Sequence, residues 1–110
     1  MDLEIEKEKK LKDLDIAIKS LRSTGRDYAK AYTDYRIALA QELVRLKNEG
    51  YAISLAENIA RGKPEIAKLK FDEICKEAIY KANLESINAI KLSIKVIQEQ
   101  VNKEWSSMNE

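Results

Sequence analysis

Leu11, Leu14, Ile18, Leu21, Gly25, Tyr28, Tyr32, Tyr35, Leu39, Glu42 and Leu46 follow one another in alternating steps of three and four, and nine of these eleven positions are apolar or aromatic. A period near 3.5 held over that length belongs to an α-helix with one apolar seam, not to a strand, whose side chains alternate every two residues. The seam predicts one long helix from about residue 2 to residue 48. Glu49 and Gly50 end it, with Arg45 and Lys47 in the last turn, where the helix dipole favours cations. Ser23, Thr24 and Gly25 are its weakest point. Gly costs about 1 kcal/mol against Ala inside a helix, and Thr24 with Asp27 forms a candidate cap. A kink is expected there, with a full break as the alternative.

Ser54-Leu55-Ala56-Glu57 has the spacing of a capping box, in which Ser and Glu satisfy each other's backbone N–H groups. It predicts a short helix over 55–61, closed by Arg61 and Gly62. Lys63-Pro64-Glu65 then opens a second long helix over about 64–105, because Pro is tolerated at the first helical position and Glu suits the first turn. Residues 106–110 are expected to fray. The second half of this helix repeats the seam at Ile87, Ile90, Ile94, Ile97 and Val101. Its first half is apolar over a wider arc, with Phe71, Cys75 and Ile79 beside the main stripe.

A short connection makes the two long helices antiparallel neighbours. Centring the hairpin on that connection places position i opposite about 113 minus i, so Leu46 falls near Ala67, Leu39 near Ile74, Tyr35 near Ala78 and Tyr80, and Leu21 near Leu92. The expected fold class is all-α: one helical domain over 1–110, built as a long antiparallel hairpin with a short helix in the connection. Two helices leave one side of each apolar stripe open to water, and Ile37, Val44, Phe71, Cys75 and Ile79 need a cover. Homo-oligomerisation into a helical bundle, as a dimer or higher, is the simplest answer. The expected interface comprises Phe71, Ile79, Ile87, Ile90, Ile94, Ile97 and Val101.

Composition narrows the chemistry. The chain of 110 residues has no His, a single Cys and three isolated Gly. That removes the commonest general base, most zinc sites, a thiolate metal cage and the glycine loop that cradles phosphate. Carboxylates are interleaved with Lys, as in Glu4-Ile5-Glu6-Lys7-Glu8-Lys9-Lys10, the pattern of a solvated helix face. No enzyme activity, metal or cofactor is expected. A net charge of +1 gives no global attraction to nucleic acid or anionic lipid. Cys75 has no intramolecular disulfide partner, no apolar run approaches a membrane span, and the first residues are acidic where a secretory signal is basic. A cytoplasmic location, with no membrane partner, is expected.

Three features rise above this background. Tyr28, Tyr32, Tyr35 and Arg36, with Tyr80 opposite, form either a base-stacking site or a core layer whose hydroxyls reach the rim. Lys19, Arg22, Arg26 and Lys30 form a basic stripe at the Gly25 weak point, either an anion site or a solvated face diluted by Asp15, Asp27 and Asp34. Asn88, Lys91, Lys95, Gln98 and Asn102 form a polar stripe beside the last seam. In the expected register Asn88 approaches Gly25 and Lys91 approaches Arg22, so the basic groups converge. The candidate ligand-binding residues are Arg22, Arg26, Tyr28, Tyr32, Tyr35, Arg36, Tyr80, Lys91 and Lys95.

Asp34-Tyr35-Arg36-Ile37-Ala38-Leu39-Ala40, the turn Asn58-Ile59-Ala60-Arg61-Gly62, Tyr80-Lys81-Ala82-Asn83-Leu84-Glu85-Ser86-Ile87-Asn88 with Ile90-Lys91-Leu92, and the closing Glu104-Trp105 resemble small helical proteins of phages and prophages of Gram-positive bacteria. Genes for such proteins tend to lie in early cassettes, beside recombination and single-strand-binding functions. The resemblance covers nearly the whole chain and implies a phage-encoded accessory protein in the infected or lysogenic cell. It brings no catalytic role. Two functions remain in view. One is a non-enzymatic binding protein that sequesters a small anionic nucleotide, such as a signal of host antiviral defence. The other is an interaction module in phage DNA replication or recombination, with a protein or single-stranded DNA partner. Nucleic acid is the less favoured ligand, because strand binders combine a basic groove with aromatic platforms.

Overall fold

The structure, a computed structural model, describes residues 2–108. The chain is all-helical. Helix α1 spans Leu3–Asn48, α2 Ile53–Gly62 and α3 Pro64–Met108, with no strand among the described residues. Helices α1 and α3 pack as a hairpin, with α2 in the connection.

Each end of α1 has a local cause. The Glu4 N–H donates to Asp2 Oδ1 at 3.0 Å, and Glu4 and Glu6 place negative charge in the first turn. At the other end Gly50 adopts a left-handed φ of 96°. The Tyr51 N–H reaches back to the Leu46 carbonyl and the Gly50 N–H to that of Lys47, the paired bonds that close a helix on a left-handed glycine. Between these ends the helix runs unbroken through Ser23, Thr24 and Gly25. Thr24 caps no new start.

The start of α2 corrects the capping-box expectation. The helix begins at Ile53, its N-cap is Ala52, and no side chain caps it. Ser54 therefore lies inside the first turn, two residues past the cap. The Ala56 N–H bonds the Ala52 carbonyl at 2.8 Å, which carries the helix earlier. This registers Ala56 and Ala60, four residues apart, on the buried side. Lys63, extended at φ −66° and ψ 129°, makes the break that a residue before proline favours. The end of α3 extends to Met108, past the expected 105; Asn109 and Glu110 lie outside the described residues.

The chain packs as two compact units. One contains residues 24–80 and the other joins the chain up to Ser23 with the chain from Lys81 onward. In the 24–80 unit, Tyr35, Leu39, Leu46, Ala56, Ala60 and Ile66 form a buried cluster, with Ala38, Leu43 and Leu69 packed against it. In the other unit Ile87 and Ile97 are buried, and Leu14, Ala17, Leu21, Leu84, Ile90, Ile94 and Val101 are half-buried.

The helix pairing differs from expectation in two ways. The first is register. In the 24–80 unit Lys63 reaches Glu42, Lys70 lies over Tyr35 and Tyr80 faces Gly25. In the other unit Lys7 bonds Gln98 and Asn83 bonds the Ala17 carbonyl. Position i thus faces roughly 105 minus i, about two turns from the expected 113 minus i. The connection is not symmetric. Leu46, near the end of α1, shares its cluster with the α2 alanines and not with Ala67, which is exposed. Leu39 clusters with Ile66, while Ile74 and Leu92, the expected partners of Leu39 and Leu21, face outward.

The second difference is rotation. Leu14, Leu21, Tyr28, Tyr35 and Glu42 keep the inward seam, but its other row is Ala17, Thr24, Ala31 and Ala38. Leu11, Ile18 and Tyr32, expected in the seam, are exposed. Small residues let the two backbones approach, and the larger side chains of the expected row are turned to the flank. Where α2 covers that flank, Leu39 and Leu46 of the expected row are buried.

A candidate binding face on the tyrosine layer

The tyrosine layer lies in the 24–80 unit and is built by the inward row of α1 meeting α3. Gly25 leaves room for the Tyr80 ring: a Cβ at position 25 would stand 3.3 Å from Tyr80 Cε1. The ring then packs against Tyr28, centroid to centroid 5.9 Å at a tilt of 31°, a normal separation for an aromatic pair. Two turns further on, Tyr35 is 7% exposed. Lys70 Nζ sits 4.9 Å above the centre of its ring, within range of a cation–π contact. Tyr32, one turn before Arg36 on the same helix, is exposed and presents its ring outward.

Lys70 and Glu73 extend this layer and were not among the candidate residues. Glu73 is buried, with Lys70 Nζ 2.8 Å from its Oε2. That hydrogen bond raises the Lys70 pKa above its ordinary value, so the ammonium over Tyr35 stays charged. The signal was present in the sequence: the steps from Ile66 through Leu69 reach 73 as the next inward position. Glu42 is the second buried carboxylate. Arg45 Nη2 lies 2.6 Å from Oε1 and Lys63 Nζ 3.1 Å from Oε2. Hydrogen bonds from Arg45 and then Lys63 hold its pKa down to about 2. Both oxygens of this carboxylate accept from cations, and the group ties the α1 end to the start of α3.

The cations divide by whether they are already paired. Lys30 holds Asp34 at 2.7 Å, and in the other unit Lys19 holds Asp15 at 2.8 Å. Each of these lysine pKa values is raised by its aspartate hydrogen bond. Two members of the basic stripe are therefore neutralised along their own helix. Arg26 and Arg36 are exposed and form no ion pair among the described residues.

Of the candidate ligand residues, the 24–80 unit holds Arg26, Tyr28, Tyr32, Tyr35, Arg36 and Tyr80, and the other unit holds Arg22, Lys91 and Lys95. Within the latter the observed register sets Arg22 opposite Asn83 and not opposite Lys91. The expected convergence of Arg22 and Lys91 does not form. Tyr35 is withdrawn from any ligand by its burial. Of the expected oligomer interface, Ile87 and Ile97 are buried inside the single chain and belong to the hairpin's own core, while Phe71 and Ile79 are exposed. Ile90, Ile94 and Val101 are half-buried.

A small apolar cleft of about 130 Å³ lies between α1 and α2, lined by Leu43, Val44, Lys47, Ile53, Ala56 and Glu57. A more open groove of about 470 Å³ in the other unit is lined by Glu6, Lys10, Leu92, Ser93, Val96, Ile97 and Gln100. Neither is lined by Tyr28, Tyr32, Tyr35 or Tyr80. No helix among the described residues is long and apolar enough to cross a membrane. Compared with protein-family models, curated proteins and solved structures, the chain matches none.

Proposed function

We propose that the chain is a non-enzymatic binding protein that works as a homo-oligomer and holds a small anionic, phosphate-bearing ligand against the face carrying Arg26, Tyr32 and Arg36. The observation that supports this most is the free state of Arg36, one turn after the exposed Tyr32, with Arg26 also exposed and unpaired about three turns before Arg36, on a helix where Lys30 is tied to Asp34. An unpaired guanidinium offers its donor fork to a phosphate without first breaking an ion pair. A tyrosine face takes a base. The face is open in one chain, and a second copy supplies the enclosure that strengthens such contacts. The resemblance to phage-encoded helical proteins suggests the class of ligand, a nucleotide signal of host antiviral defence.

Calorimetry against cyclic dinucleotides and ADP-ribose-type nucleotides tests the proposal, with single-stranded DNA for comparison. Charge-assisted hydrogen bonds contribute about 1.5–3 kcal/mol each, so Arg26→Ala and Arg36→Ala should each weaken nucleotide binding by at least about tenfold while the oligomer persists. A silent nucleotide panel, with oligonucleotides binding in a steeply salt-dependent way, overturns it. That outcome favours an interaction module in phage DNA replication or recombination. The second reading has its own support in α2, where Leu55 and Ile59, neighbours one turn apart, are exposed and suit an apolar protein partner.

A further inference from the structure

In the unit that joins the chain up to Ser23 with the chain from Lys81 onward, both helices carry inward rows that repeat every seven residues. On α1 one row holds Leu14 and Leu21 and the other Lys10 and Ala17. On α3 one row holds Ile87, Ile94 and Val101 and the other Asn83, Ile90 and Ile97. All of these side chains are buried or half-buried. A seam with a seven-residue repeat matches itself again after a slip of seven, because apolar side chains still meet apolar side chains. Burial alone therefore leaves more than one antiparallel register close in energy. Asn83 breaks the repeat. It stands where the next two heptads of its row hold Ile90 and Ile97, and its Nδ2 donates to the Ala17 carbonyl at 3.0 Å. We propose that Asn83 is the register lock of this unit: its hydrogen bond to α1 selects one pairing of the two helices from the heptad-related pairings that the seam would accept. The lock is independent of the ligand and of self-association.

A slip of seven residues in either direction moves Asn83 about 10 Å along α1 at 1.5 Å per residue, too far for so short a side chain to keep the same carbonyl. The slipped pairing loses this bond at a half-buried amide, a loss that an isoleucine in the same place would not suffer. The partner is as specific as the donor. Ala17 is short, so the Asn83 amide approaches the α1 backbone there, whereas Leu3 and Lys10 earlier in the same row carry long side chains. The unit's other cross-helix bond, from Lys7 to Gln98, joins two long side chains near the ends of α1 and α3, and each can reach water after a slip. A polar residue at one seam position that fixes register at a cost in stability is a known economy of paired helices.

Disulfide formation within the chain reads the register, in a Cys75→Ser background and counted in the monomer band. Leu21→Cys with Leu84→Cys has the same offset as Lys7 with Gln98 and reports the observed pairing. Leu14→Cys with Leu84→Cys, and Leu14→Cys with Gln98→Cys, report slips of seven in the two directions. With Asn83 in place the first pair should link at least about tenfold faster than either slipped pair. Asn83→Ile should remove that preference in at least one direction while the chain stays helical by circular dichroism, since isoleucine continues its row. Lys7→Ala should keep the preference. Slipped pairs that link as fast as the first with Asn83 present overturn the proposal, as does loss of helix in Asn83→Ile, or a preference lost in Lys7→Ala as fully as in Asn83→Ile. A lower melting temperature of Asn83→Ile with the preference intact overturns it too, because the bond would then stabilise the pairing without choosing it.

Discussion

Gly25→Ala sets two terms of similar size against each other, and the structure decides which is larger. Alanine inside a helix is favoured over glycine by about 1 kcal/mol, since glycine loses more backbone freedom on folding. Position 25 is interior to α1, so that gain is available in full. Against it stands the new Cβ, 3.3 Å from Tyr80 Cε1 and 3.7 Å from Cδ1. Ordinary carbon–carbon contact begins at about 3.5 Å, so the ring must retreat by a few tenths of an ångström. Tyr80 is only half-buried and has room to do so. Even complete loss of its pairing with Tyr28 would cost about 0.5–1.5 kcal/mol, and a small retreat forfeits only part of that. Gly25→Ala should therefore stabilise the chain by about 0.5 kcal/mol, raising the melting temperature by about 2–4 °C. Urea unfolding followed by helical circular dichroism measures it. Tyr80→Ala provides the second arm of a double-mutant cycle: in that background Gly25→Ala should gain the whole of about 1 kcal/mol. A loss above about 1 kcal/mol on Gly25→Ala refutes the reasoning, because it would mean that Tyr80 cannot move and that close approach, not tolerance, keeps glycine at this position.

Acid should weaken the fold through Glu42. Its folded pKa is lowered to about 2 from an ordinary value of 4.5, so its contribution is fully present above about pH 4.5 and is lost as pH falls toward 2. Thermal melts of Glu42→Gln should show a shallower decline across that window than wild type, and parallel curves would contradict the assignment. Leu39→Ala should lower the unfolding free energy by about 2–4 kcal/mol, since Leu39 is 4% exposed in the main cluster. Ile37→Ala, 53% exposed two residues earlier, should change monomer stability by less than about 0.5 kcal/mol; equal effects would mean that the α1 face is assigned wrongly.

The all-α hairpin was legible because a 3.5 period over many turns has no other physical reading. The face and register of the pairing were not. The second inward row of α1 is Ala17, Thr24, Ala31 and Ala38, residues that a search for hydrophobic periodicity passes over in favour of Leu11, Ile18 and Tyr32. Two helices in close contact select for small size as much as for apolarity, and one sequence does not say which criterion governs. Register was misplaced because α2 packs its alanines onto the end of α1, which displaces α3 along it. That shift separated Arg22 from Lys91. The tyrosines were legible as a group, but their fates differ by exposure. Lys70 was missed because lysines on a helix usually mean solvent, and only its place above Tyr35 sets it apart.

The distribution of apolar side chains carries the argument for assembly. Among the described residues the buried hydrophobic core comprises nine residues, three of them alanines, while eighteen large hydrophobic side chains are exposed. Scattered single exposures are normal on any surface, so their number alone proves little. Their arrangement is more telling. Phe71 and Ile74 fall on one row of α3, and Ile37 and Val44 fall seven residues apart on the outer face of α1, each row with the spacing of a helix seam. On α2 the buried positions are Ala56 and Ala60, while Ile53, Leu55 and Ile59 are exposed. A helix whose only role was to plug the end of its own hairpin would gain more by burying the isoleucines, at about 25 cal/mol per Å² of apolar surface. Small residues inside and large ones outside make sense where the outer surface is also a contact surface. On the proposed self-association the hairpin is a building block, with its small residues closing the two long helices and its large ones left for the next chain.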